Sequence, residues 1–87
     1  MDSLKSPTYY EVFIKTDCEI CKKTVDLLSQ KKISFVVTVT DKNPEFLETL
    51  KLKNNWPTVP IIFETKFEGG SSQLIGGFSE LLEKLNA

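Results

Sequence analysis

Cys18 and Cys21 stand three residues apart and are the only cysteines in the chain. Within Cys18-Glu19-Ile20-Cys21, that spacing puts both side chains on one face of a helix, with Cβ atoms roughly 5–6 Å apart. A disulfide needs a Cβ separation of about 3.8 Å, so a small adjustment closes the pair. The apolar run before them, Tyr9 to Ile14, reads as a strand, and Lys22 to Gln30 reads as a helix. Cys18 therefore falls at a helix N-terminus, where the macrodipole and free N–H groups favour an anion. Such a setting stabilises a thiolate, the species that attacks disulfides. The spacing implies a dithiol that opens and closes.

Composition narrows what that dithiol can serve. A chain of 87 residues makes one small domain with a modest core. Its 40% hydrophobic and 26% charged residues are those of an ordinary globular protein rather than a disordered one. The net charge of −1 gives a nucleic-acid partner no global electrostatic support. No apolar run approaches the ~18 residues of a membrane span, and Met1 to Pro7 lacks the apolar centre of a signal peptide. The chain is thus expected in a reducing, cytoplasmic setting, as a monomer. There a lone C-x-x-C is more often redox-active or metal-binding than structural. A disulfide closing so short a loop would also constrain the unfolded chain little.

The elements that must position the cysteines follow from periodicity. Strands are expected at Tyr9–Ile14 and Ile33–Val39, the second alternating Ile33, Phe35, Val37 and Val39 against Ser34 and Thr38. Val36 interrupts the polar set, which implies that its face of the sheet is also partly covered. Cys21, Val25 and Leu28 recur at helical period between the two strands, giving a strand–helix–strand unit and a parallel crossover. Asn43-Pro44 signals a second helix start, Phe46, Leu47 and Leu50 its buried stripe, and Asn54-Asn55 a left-handed stop. Trp56-Pro57-Thr58-Val59-Pro60 leads into a short strand, Ile61–Phe63. A long loop, Glu64 to Ser71, precedes the last strand, Ser72–Ile75, and a closing helix, Ser79–Leu85, buries Phe78, Leu81, Leu82 and Leu85. Residues 1–8 are expected to form a flexible tail before a single domain over 9–87.

A C-x-x-C at the first helix, Thr58-Val59-Pro60 before the third strand and Gly76-Gly77 before the last helix occur in that order. Together they resemble the small dithiol glutaredoxins, over about Tyr9 to Leu85. The resemblance implies an α/β, thioredoxin-like βαβαββα fold, a central four-stranded mixed sheet flanked by three helices. It implies that Cys18 is the exposed nucleophile, Cys21 the more buried resolving thiol, and Pro60 a cis proline facing the dithiol. Pro60 has no N–H, which leaves the Val59 backbone to pair with an extended peptide such as glutathione, beside Thr58. Gly77, Phe78 and Ser79 would offer backbone N–H groups and a hydroxyl to the γ-glutamyl carboxylate. Lys15 would serve the glycyl carboxylate and the Cys18 thiolate, with Lys51 or Lys53 as weaker candidates.

The implied activity is glutathione-dependent reduction of protein disulfides and glutathione mixed disulfides. Glutathione is the co-substrate, and disulfide-bearing or glutathionylated proteins are the partners, a ribonucleotide reductase among the candidate clients. No resident metal is expected. The chain departs from many relatives in its intervening pair, Glu19-Ile20, where Pro-Tyr or similar is common, and in Pro57, where a polar or basic residue is frequent. Asp17 and Glu19 oppose thiolate formation, while the helix terminus, Lys15, Lys22 and Lys23 favour it. The net expectation is a Cys18 pKa below the free-cysteine value of about 8.5. Two other readings stand beside the first. One is a metal module in which paired chains and glutathione thiolates hold an iron–sulfur cluster, since one chain has no third cysteine and no histidine. The other is a thioredoxin-type reductant.

Overall fold

The computed structural model describes residues 7–86. Strand β1 (Thr8–Ile14), helix α1 (Glu19–Gln30), strand β2 (Phe35–Val39), helix α2 (Pro44–Asn54), strands β3 (Ile61–Lys66) and β4 (Ser72–Gly76), and helix α3 (Phe78–Asn86) follow in order. This is the βαβαββα arrangement expected. The sheet order is β2-β1-β3-β4, with β1 parallel to β2 and the other pairs antiparallel. The mixed sheet and its three helices form a thioredoxin-like fold.

Period-two alternation along β1 divides the molecule into layers. Tyr10 and Val12 face a core completed by Leu28 of α1, Ile62 of β3 and Leu81 of α3, so α1 and α3 share one side of the sheet. Phe13 points the other way, its ring 5.8 Å from that of Phe46 on α2. Central strands β1 and β3 carry the most buried residues, including Val12, Ile61 and Ile62. The loop ends of both strands lead directly to the cysteines and to Pro60.

Several boundaries differ from expectation, each for a local reason. Helix α1 starts three residues earlier, at Glu19, because Cys18 itself is the N-cap. Its far end closes with Lys32 in left-handed geometry, φ 56, where Lys32 N–H donates to the Ser29 carbonyl and Ile33 N–H to that of Leu28. This double closure consumes Ile33, so β2 begins at Phe35. Strand β2 is a sheet edge, and Val36, Val37 and Val39 remain exposed, so the covering expected over Val36 is not there. In α2, Leu47 is buried but Phe46 is half exposed, which narrows the expected stripe.

The long loop expected from Glu64 is shorter, because Glu64, Thr65 and Lys66 pair with Tyr10, Tyr9 and Thr8 of β1. Lys66 N–H then donates to the Ser71 carbonyl across a turn with Gly69 and Gly70 at positive φ. Of the expected tail, Thr8 belongs to β1 and Pro7 accepts from Phe67 N–H, while residues 1–6 lie outside the described residues. Helix α3 begins at Phe78, one residue before the expected start at Ser79, which sits in its first turn. Among the described residues no helix is long and apolar enough to cross a membrane.

Candidate active site

Cys18 is extended at the N-cap of α1, φ −128 and ψ 107, and its sulfur accepts a hydrogen bond from the Cys21 N–H at 3.1 Å. Its carbonyl accepts from Lys22 N–H, the first backbone bond of the helix. The same group that caps the helix is thus the one a helix terminus would hold as an anion. Cys18 and Cys21 are joined as a disulfide with Cα atoms 5.2 Å apart. Cys18 is half-buried and Cys21 is only 1% exposed. Asp17, Glu19 and Lys22 ring the outer side of Cys18.

The Val59–Pro60 bond is cis and Pro60 is fully buried. Thr58, Val59 and Pro60 face Gly77, Phe78 and Ser79 across one groove of about 450 Å³. Ile20 of α1 closes the groove on the dithiol side. Lys15 is not part of it; that residue borders a separate depression with Cys18, Cys21 and Lys22. Lys51 lines a third depression at the end of α2, together with Trp56 and Pro57, and Lys53 lines none of the three. The expected residues therefore fall into two groups, Thr58 to Pro60 with Gly77 to Ser79 in the groove, and Lys15 with the two cysteines in a separate depression.

One groove residue, Glu80, is not among the residues expected from the sequence. Glu80 accepts a hydrogen bond from the Gly77 N–H at 3.0 Å, so one of the N–H groups expected to meet an anion already meets a carboxylate. Gly77 holds the N-cap place, its carbonyl accepting from Leu81 N–H, and Glu80 stands three residues on, the reach-back half of a capping box. That spacing was the available signal. Trp56 packs under the two glycines; its indole N–H is buried without a partner among the described residues. A Cβ on Gly76 would lie 2.9 Å from Glu80 Cγ and 3.1 Å from Trp56 Cη2, at φ +124, so this position takes only glycine. Gly77 has no such constraint, its nearest neighbour being the tip of Glu80 at 3.4 Å.

Beside Lys15, the Asp41 carboxylate accepts from the Thr16 N–H and hydroxyl. Those bonds, helped by the Lys15 ammonium, hold the Asp41 carboxyl below its ordinary range. At the far end of β1, burial and then the Glu64 charge raise the Tyr10 phenol. Among the described residues no three His, Cys, Asp or Glu side chains come together as metal ligands.

The glutaredoxin family model matches residues 10–67, from the start of the β1 core through the dithiol and Pro60 to the end of β3. The chain belongs to the glutaredoxin family. As a glutaredoxin-family redox protein it carries its cysteine pair at the first helix, closed as a disulfide. It is similar to a buckwheat glutaredoxin solved as a glutathione complex, with 26% identity and a TM-score of 0.74, over 91% of this chain and 69% of the buckwheat protein. It shares its fold with the glutaredoxin-like NrdH-redoxin of Escherichia coli at 20% identity and a TM-score of 0.63, over 88% of this chain and 93% of that one. A chloroplastic thioredoxin z matches at 18% identity and a TM-score of 0.61, over 94% of this chain and 78% of that one. Comparison with curated sequences gives no significant match.

Proposed function

We propose that this glutaredoxin is a glutathione-dependent thiol–disulfide oxidoreductase acting on protein disulfides and glutathione mixed disulfides. In the one-cysteine route, the Cys18 thiolate attacks the glutathione sulfur of a mixed disulfide. The client thiolate leaves and takes up a proton, and Cys18 carries the glutathione. A second glutathione thiolate attacks that glutathione sulfur, yielding glutathione disulfide and the Cys18 thiolate. In the two-cysteine route, Cys18 attacks a client disulfide, then deprotonated Cys21 attacks the Cys18 sulfur. The client leaves with both thiols, and two glutathione molecules reduce the Cys18–Cys21 disulfide. Exchange rates follow thiolate fraction and leaving-group pKa, so the capped Cys18 attacks and the buried Cys21 resolves.

The observation that carries this reading is the groove beside the dithiol, bounded by Val59–Pro60 on one wall and the start of α3 on the other. An extended tripeptide pairs with the Val59 backbone, its γ-glutamyl carboxylate directed to the N–H groups of Phe78 and Ser79 at a helix N-terminus. Gly77 N–H joins them when Glu80 releases it. Lys15, in the depression that holds both cysteines, serves the glycyl carboxylate. The glutathione bound by the buckwheat relative supports the same co-substrate here. Clients are disulfide-bearing or glutathionylated proteins, with a ribonucleotide reductase as one candidate.

A second reading, a thioredoxin-type reductant, draws on the carboxylates of Asp17, Glu19 and Glu80, which oppose a ligand carrying a carboxylate at each end. Glutathione-dependent reduction of a small mixed disulfide, coupled to glutathione reductase, separates the two. Activity that survives Cys21→Ser and disappears with Cys18→Ser is the expected result. Inactivity with glutathione, together with reduction of protein disulfides through thioredoxin reductase, would establish the second reading instead.

A further inference from the structure

The loop leading to Cys18 is gripped by two consecutive residues that directly follow β2. Buried Thr40 donates both its backbone N–H and its hydroxyl to the Ile14 carbonyl, each at 2.9 Å. The next residue, Asp41, accepts from the Thr16 N–H through Oδ1 at 3.0 Å and Oδ2 at 3.3 Å, and from the Thr16 hydroxyl. Both peptide groups that flank the Lys15 Cα are therefore fixed from outside the loop. Thr16 lies two residues before the cap at Cys18, and the chain between them has no other described hydrogen bond to hold it. Asp41 itself is exposed, so its carboxylate adds little to the core. Charge-assisted bonds of this kind are stronger than neutral ones and directional.

We propose that Asp41 is a positioning residue for the redox centre: with Thr40 it clamps the Lys15–Thr16 backbone and so sets how Cys18 and Lys15 face an incoming disulfide. Asp41 touches no reacting atom. The inference rests on Cys18 as the attacking thiol in the reading above, and it is independent of which reductant restores the dithiol. Charge and geometry make opposite demands at this position. As an anion beside Lys15, Asp41 disfavours a thiolate nearby, so loss of its charge alone would speed Cys18. As a clamp, its removal slows Cys18.

The test is the rate of Cys18 alkylation by iodoacetamide in the reduced protein at neutral pH, read by mass, alongside thermal unfolding, for wild type, Asp41→Ala and Asp41→Asn. Asp41→Ala is expected to slow alkylation about tenfold, the scale of a misplaced reacting group, with the unfolding midpoint little changed. Asp41→Asn should stay close to wild type or exceed it. The amide oxygen accepts from Thr16 N–H and the amide nitrogen donates to the Thr16 hydroxyl. Equal rates for the two variants, or both faster than wild type, would overturn the clamp in favour of charge. Thr16→Val keeps the N–H and loses the hydroxyl, and should slow Cys18 by about twofold or more. It decides the matter if Asp41→Ala fails to fold, since a wild-type rate for Thr16→Val would overturn the proposal. Glutathione enters none of these reactions, so a failed clamp and a failed glutathione site give different results.

Discussion

Helices α1 and α2 are nearly equal in length, 12 and 11 residues, yet they are seated in opposite ways. Helix α1 buries Cys21, Thr24 and Leu28 and closes its first turn with a hydrogen bond to the Cys18 sulfur. Helix α2 buries only Leu47, leaves Leu52 75% exposed, and its N-cap, Asn43, makes no side-chain bond. The chemistry sits on the helix that cannot move without opening the core. Helix α2 acts as a connector that delivers Trp56 to Pro60 to the groove. Local stability should differ accordingly, with α2 opening at lower free energy than α1.

The N-caps give the sharpest contrast. Serine is among the best N-cap residues, and its oxygen accepts the Cys21 N–H as the sulfur does. Cys18→Ser should therefore unfold at close to the wild-type temperature and yet lose disulfide exchange completely in the coupled assay. An unfolded variant would show that the sulfur holds α1 in a way oxygen cannot. Core deletion comes next in size. Leu28→Ala in α1 is expected to cost about 2–5 kcal/mol in urea unfolding. The matching change in α2, Leu52→Ala, should stay within about 0.5 kcal/mol. Equal losses would remove the distinction between the helices. Asn43→Ala should cost clearly less than the ~1 kcal/mol typical of a lost cap, because there is no cap bond to lose.

The smallest effect is acid opening of the β2 clamp. Asp41 has a folded pKa below its ordinary 3.8, so its contribution is present above that value and lost as pH falls through the lower folded one. The Thr16 amide resonance, followed by NMR on acidification, should stay in place to below pH 3.8 and then move. A midpoint at or above the ordinary value would contradict the hydrogen bonds to Thr16.

The legible parts of this molecule were those whose causes are local. Cys18-x-x-Cys21 announced both a helix start and its chemistry, Asn43-Pro44 began α2, and Asn55 ended it in left-handed geometry, φ 51, as its side chain allows. Lys32 adopts the same geometry with no turn residue to signal it, and that hid the loss of Ile33 from β2. Exposure of Val36 depends on which strand lies beside β2, and β3 reaches Lys66 because β1 offers a partner that far. Neither fact resides in the segment concerned. Of the candidate site, the Thr58–Pro60 and Gly77–Ser79 segments were visible as motifs and meet in one groove, whereas Lys15 stands apart from it. Glu80 was readable from its spacing to Gly77. Asp41 was not, because it meets Thr16 across 25 positions of chain.

The two adjacent glycines carry a warning for mutational scanning. Gly76 has no room for a methyl group between Glu80 and Trp56, whatever the groove holds. Every substitution there should score as damaging through folding alone, and its intolerance says nothing about a ligand. Gly77 can carry a methyl at ordinary contact distance, within reach of Pro60 and the groove. In a screen that separates abundance from activity, Gly76 variants should fall on both scales together. Gly77→Ala should keep its abundance, so its activity score is the one that reports on binding.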